Sequence, residues 1–303
     1  MKVSATEKAQ LLAAVSEKIR TGYVSPERGD NVTSKLDAIA KSATTLGERY
    51  PQANLSLFCE QITKDLRAWS EDQHLRVSFS RKPYLQPADD QVVREQSDRR
   101  LHCQRMGFGI AKVEQLSENV GFIDVRELVE LSLARDVVCA AMTLVTACDA
   151  LIIDLRNCVG GDPATVAWMA SYLFDERVQL STFEPRHAPR EEFWTSEMSG
   201  AKFGGRKPAF VLTAKFTFSG AEQFAYDLQA LRRVTVVGEV TGGGAHACSF
   251  HWLTDHVNLL LPECRPVNPI TMSNWEKVGV KPDVACAANA ALKLARQLAK
   301  RAL

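Results

Sequence analysis

The sequence predicts an α/β (α+β) fold, an α/β body preceded by an N-terminal helical bundle. Between Pro208 and Gly244, the apolar run Ala209-Phe210-Val211-Leu212-Thr213 reads as a buried strand. A helical repeat follows, with Phe224, Leu228 and Leu231 on one face, and then the β-branched run Arg233 to Glu239. From residue 106 onward, strand-like and helix-like stretches alternate in the same way. Ahead of them, residues 5 to 73 hold apolar positions at helical spacing.

In the N-terminal segment, Leu11, Leu12, Val15 and Ile19, then Leu36, Ile39 and Ala40, then Leu55, Phe58, Cys59, Ile62 and Leu66 line helix faces. Gly22 to Glu27 and Tyr50 to Asn54, each with a proline, separate three or four helices. Charge density rises from Leu75 to His102 and apolar periodicity fades, which predicts a solvated connector. The expected division is a helical domain at 1–76, a connector at 77–105 and an α/β core at 106–303. Within the core, Phe108 to Val113 and Asn119 to Val125 form a hairpin-like pair, and Val129 to Leu144 is a helix. Leu151 to Leu155 is a buried strand, Ala164 to Phe174 a helix, and Val178 to Phe183 another strand. No repeat recurs at a period of about 20 to 50 residues, which excludes solenoids and propellers.

Composition narrows the partners. The 303 residues are 46% hydrophobic, ample for a core, and 37 basic against 36 acidic side chains leave nothing to attract nucleic acid or an anionic membrane. The N-terminus lacks the apolar core of a signal peptide, and no run approaches the roughly 18 apolar residues of a membrane span, so the expected location is cytoplasmic. The eight cysteines form no CxxC pair and fit neither a zinc site nor a disulfide framework. Neither a metal-ligand cluster nor a phosphate loop is found, and no cofactor is expected. The expected partner is a peptide or small acyl substrate, and the oligomeric state is open.

Ser219 stands at the strand-to-helix turn, followed by Gly220 and Ala221. Such a turn projects the hydroxyl clear of the backbone, and the amide after it points from a helix N-terminus, where developing negative charge is favoured. The alternative is a serine that caps the helix. Gly160 and Gly161 follow the strand that ends in Asp154-Leu155-Arg156-Asn157. Their backbone N–H groups, with that of Gly220, suit an oxyanion hole, and a plain tight turn is the competing reading.

The succession SGAE before a helix and VVGEVTGGG after it resembles the tail-specific (carboxy-terminal processing) serine peptidases. Within that family it looks most like the branch of interphotoreceptor retinoid-binding protein and its bacterial relatives. Two further stretches carry the resemblance: Leu151 to Asn157 with Gly160-Gly161, and Asn268 to Thr271 leading to Asn274 through Asp283. With the helical segment ending in Asp72-Gln73-His74, it spans nearly the whole chain. It implies a ClpP/crotonase-like β-spiral core and a hydrolase that cleaves peptide bonds. Many members insert a peptide-binding PDZ domain near the connector, and the roughly 30 residues available are too few for a module with its own core.

The best-known members use a serine–lysine dyad. Here the lysine register falls on Gly244, and no lysine lies between Lys215 and Lys277. Histidines remain, His74 and His246. Tricorn-type members pair the serine with a histidine at the end of the helical segment and orient it with a glutamate near the C-terminus, and His74 and Glu276 occupy those places. A base histidine needs an acceptor on its other ring nitrogen, which Glu276 would supply. His246, Trp275 and Arg156 are candidate substrate contacts; Arg156 equally suits a structural ion pair with Asp154 or Asp283. Two other functions fit the same sequence: a non-catalytic binding module for a hydrophobic, retinoid-like small molecule, and ester hydrolysis or cyclisation on the same residues.

Overall fold

The computed structural model describes residues 1–84, 89–198 and 200–303. The chain divides into two compact units, one made of 1–87, 184–190 and 246–265, the other of 88–183, 191–245 and 266–303.

The first unit opens with four helices: α1 (Ala5–Gly22), α2 (Pro26–Ala40), α3 (Ala43–Arg49) and α4 (Leu55–Ser70). Their starts are written locally. Ser4 and Glu7 form a capping box on α1, Pro26 begins α2, and the Asn54 side chain accepts from the amides of Ser56 and Leu57 at the start of α4. The apolar stripes read from the sequence, Leu12, Val15, Ile19, Leu36, Phe58, Ile62 and Leu66, merge into one core. That core is completed by strands: β1 (Arg76–Phe79) and the hairpin β9 (Ala247–Thr254) and β10 (Val257–Val267), which supply Val77, Val257, Leu259 and Leu261. Val77 pairs with Leu259 antiparallel, and β9 flanks β10 with Leu259 opposite His251. A segment nearly two hundred residues downstream of the helices therefore closes their core. The stretch expected as a connector, 77–105, carries most of β1 and the helix α5 (Asp89–Arg105); its residues 85–88 lie outside the described residues.

The second unit is built on a six-stranded sheet. It comprises β2 (Ile110–Leu116), β3 (Val120–Val125), β4 (Ala150–Asp154), β7 (Ala209–Thr213), β8 (Thr235–Gly238) and β11 (Val284–Ala285), in the order β11-β8-β7-β4-β3-β2. Only β2 and β3 are antiparallel; every other neighbouring pair is parallel. Besides α5, the helices described in this unit are α6 (Leu131–Val145), α7 (Pro163–Ser171), α8 (Gly220–Ala230) and α9 (Ala288–Ala302). Alternate residues of each strand face opposite layers. Ile123, Leu151, Ile153, Val211 and Val236 pack with α6, α7 and α8, while Phe122, Ile152, Phe210, Leu212 and Val237 pack with Ala291, Ala295 and Ala299 of α9. Burial on both faces explains why these strands read as continuous apolar runs. The hairpin of β5 (Gln179–Pro185) and β6 (Glu191–Trp194) joins this unit through Gln179 to Phe183.

The ClpP/crotonase-like β-spiral is corrected by this topology. The sheet is open, with β2 and β11 at its edges, and no strand pairing among the described residues closes it. Helices sealing both faces of a parallel sheet make a layered α/β body, which satisfies the apolar runs without any winding of the sheet on itself.

Candidate active site

Ser219 lies where β7 gives way to α8, and its backbone adopts φ 54° and ψ −124°. A non-glycine residue there costs about 1–3 kcal/mol and persists only when its surroundings over-determine it. The turn is tied down on several sides. The Thr217 hydroxyl donates to the Leu155 carbonyl at 2.8 Å and accepts from the Ala214 amide at 3.0 Å. The Phe218 amide donates to the Cys158 carbonyl at 3.2 Å, and the Gly242 amide to the Thr217 carbonyl at 3.0 Å. Ser219 thus stands on a sharp strand-to-helix turn at the carboxyl end of a parallel sheet, a place from which a side chain can be presented to a ligand.

Gly160, Gly161 and Gly220 come together at this turn. At Gly160, with φ +93°, an added Cβ would lie 2.6 Å from the Gly220 nitrogen and 2.8 Å from Ser219 Cβ. An added Cβ at Gly220 would lie 2.8 Å from the Gly161 carbonyl oxygen. Only glycine permits so close an approach, and it leaves the space beside the Gly220 amide clear. Cys158, between the sheet and these glycines, is fully buried, and burial pushes its thiol up to about 12.

Glu222, three residues past Ser219, was not assigned a role by sequence reasoning. Its carboxylate is fully buried and accepts four hydrogen bonds. Oε2 takes the amides of Ser219 (2.9 Å) and Gly244 (2.9 Å); Oε1 takes the Thr241 hydroxyl and the Gly243 amide (2.7 Å). Burial pushes the carboxyl up to about 7, against the pull of these donors. Glu276 holds the next amide of the same loop, its Oε2 accepting from Ala245 at 2.7 Å.

Two candidate substrate contacts sit differently from the simplest expectation. Trp275 is 1% exposed, and its indole N–H donates to the Gly244 carbonyl at 2.9 Å, so its ring is core and it touches the loop through that carbonyl. Arg156 pairs with Asp154 through Nε (2.9 Å) and Nη2 (2.6 Å) and donates from Nη1 to the Ala288 carbonyl at 2.7 Å. Of its two alternatives, the ion pair with Asp154 is formed. Arg156 also lines a cavity of about 370 Å³ with Asn157, Lys215, Phe216 and Glu239.

Ser219, its glycines, Glu222 and Glu276 belong to the second unit; His74, Asp72 and His246 belong to the first. Asp72 is 0% exposed and organises both histidines. Its Oδ1 accepts the His74 amide at 2.9 Å, and its Oδ2 lies 2.7 Å from His246 Nδ1 and accepts the Tyr23 hydroxyl at 3.0 Å. Burial alone would raise the Asp72 carboxyl, but the hydrogen bond and charge of His246, with those of His74, hold it below the usual range. Burial lowers His74 to about 4, with Asp72 opposing, so its ring is neutral at ordinary pH. Sequence reasoning missed Asp72; the one available signal was its place two residues before His74, the spacing at which an aspartate accepts the later amide.

An open, helix-covered parallel sheet with a serine on a strained turn beside glycine amides defines the class as a serine-type hydrolase of α/β fold. The model of peptidase family S41 matches residues 119–286, more than half of the chain, and the chain belongs to that family. It is therefore a serine-type peptidase, and its substrate class is peptide or protein. Among similar solved structures is a lipoprotein from Streptococcus agalactiae, with TM-score 0.63 and 13% identity over 100% of this chain and 98% of that one. The photosystem II D1 C-terminal processing protease has TM-score 0.56 and 15% identity over 93% and 94%. The tricorn protease has TM-score 0.57 and 12% identity over 98% of this chain and 37% of its own. At these identities the likeness is one of fold. The cytoplasmic expectation is corrected on this finding: the same fold occurs in a protein described as a lipoprotein. No helix among the described residues is long and apolar enough to cross a membrane.

Proposed function

We propose that the chain cleaves peptide bonds through an acyl-enzyme on Ser219, with His74 as general base, Glu276 as its orienter, and the amides of Gly160, Gly161 and Gly220 as oxyanion donors. The observation that carries this reading is the Ser219 backbone at φ 54° and ψ −124°, packed against Gly160. Strain of that kind is retained where a group must be presented for reaction. The serine attacks the scissile carbonyl and its proton passes to a neutral histidine. The oxyanion is held by main-chain N–H groups, and the histidine then protonates the leaving amine before water releases the acyl group. The tricorn-type assignment of His74 and Glu276, and the likeness to the retinoid-binding branch, rest on the sequence motifs.

A second reading gives the base to His246. It is favoured by the 2.7 Å contact of His246 Nδ1 with Asp72, which fixes the tautomer with the lone pair on Nε2. Ester hydrolysis or cyclisation would run on the same residues. The experiment is reaction with an alkyl fluorophosphonate followed by peptide mapping. Label on Ser219, lost in Ser219→Ala, supports the reading, and a folded protein that takes no label there sinks it.

A further inference from the structure

The carboxylate of Glu222 stands out against a second serine–glutamate box in the same chain. At the start of α1, Ser4 and Glu7 have the same spacing, and there the serine hydroxyl donates to the Glu7 carboxylate at 2.7 Å while the serine amide donates to the same oxygen at 2.7 Å. Ser4 has an ordinary extended backbone, φ −81° and ψ 165°, and its hydroxyl is consumed by the cap. At Ser219 a capping box is present too, but its carboxylate is engaged differently. Glu222 accepts the Ser219 amide, but its remaining acceptor positions are filled by the Thr241 hydroxyl and the Gly243 and Gly244 amides, from a loop about twenty residues further along. The Thr241 hydroxyl itself accepts from the Val280 amide at 2.7 Å, which leaves its proton for Glu222. Four donors on two oxygens saturate the carboxylate.

Resting on the reading of Ser219 as nucleophile, we propose that Glu222 is a positioning residue for the hydrolysis. It fixes the strained Ser219 turn to the Gly242–Gly244 loop, and its saturation by Thr241, Gly243 and Gly244 keeps it from capturing the serine hydroxyl as Glu7 captures that of Ser4. A carboxylate that served the helix alone would need only the Ser219 amide, and would sit exposed as Glu7 does. Glu222 instead joins two segments from a fully buried position, where a lost acceptor is felt by every donor it served. The consequence for chemistry is specific. Loosening this carboxylate slows attack by Ser219 without altering how a small reagent is bound.

The test is the rate of alkyl fluorophosphonate labelling of Ser219 in wild type, Glu222→Gln and Thr241→Val, measured well below each melting temperature. Gln retains the shape but turns one acceptor into a donor that faces an amide or the Thr241 hydroxyl; Val removes the hydroxyl and opens one acceptor position. The expected result is that Glu222→Gln lowers the maximal labelling rate by about tenfold to a hundredfold, while the half-saturating reagent concentration stays within about twofold. Thr241→Val should lower the rate by about threefold or more on the same argument. Labelling of both variants at the wild-type rate overturns the inference. If Glu222→Gln yields no folded protein, Thr241→Val decides alone. A wild-type protein that takes no label at Ser219 fails on the nucleophile itself, a result distinguishable from wild type and variants that label equally fast.

Discussion

Asp72 Oδ2 and His246 Nδ1 lie 2.7 Å apart in a buried pair, although the two residues are separated by 174 positions of sequence. The same aspartate holds the His74 backbone amide through its other oxygen, so both candidate bases depend on one carboxylate. Asp72→Ala should destabilise the protein by about 3 kcal/mol, because three buried donors lose their acceptor. Denaturant unfolding measures this, and a change below about 1 kcal/mol would count against the arrangement.

A pH profile tests His74 as the base. Burial, opposed by Asp72, lowers His74 to about 4, so as a base it stays neutral and competent until the pH falls to that region. The acid limb of kcat/KM is expected near pH 4, below the ordinary histidine range, and His74→Ala should abolish turnover. An acid limb and turnover that survive in His74→Ala but disappear in His246→Ala transfer the base to His246.

Ser219→Gly should remove activity and raise stability. Glycine adopts φ 54° without the clash that a side chain meets, and relief of strain is expected to outweigh the added freedom of the unfolded chain by about 1 kcal/mol. A calorimetric melting temperature below that of wild type would contradict the strain assigned to this turn.

Gly160→Ala tests the oxyanion geometry. The new Cβ would stand 2.6 Å from both the Gly220 nitrogen and the Phe218 carbonyl oxygen, at a φ of +93° that side chains avoid. Loss of Ser219 labelling and a stability loss of about 2 kcal/mol or more are expected. Near wild-type labelling would show that this glycine does not guard the Gly220 amide.

Asp227 on α8 gives a pH dependence of stability. It is fully buried, accepts from Asn268 Nδ2 at 2.8 Å, and burial raises its carboxyl from 3.8 to about 7. Folding therefore takes up a proton between these values. The stability this contributes is complete below the ordinary carboxylate range and is lost as pH rises through about 7. Asp227→Asn should gain on wild type between pH 4 and 8, by on the order of 4 kcal/mol at most if about three units count at about 1.4 kcal/mol each. A pH-independent difference between the two proteins would refute the shift.

The sequence by itself determined the elements and the strand-to-helix setting of Ser219. Period-3.6 stripes such as Leu12, Val15 and Ile19, and apolar runs such as Leu151 to Ile153, are local consequences of which faces are buried, and they form the helices and strands read from them. The turn at Ser219 was legible because strand, small residues and helix follow one another directly. The tertiary structure decided the rest. Strand order, and with it the open sheet in place of a β-spiral, follows from long-range pairing that local periodicity does not encode. Asp72 as the anchor of His246, and Glu222 as the clamp on the Gly242–Gly244 loop, are contacts between distant segments. Trp275 entered the core because a buried ring with one N–H needs a carbonyl, and Gly244 supplied it.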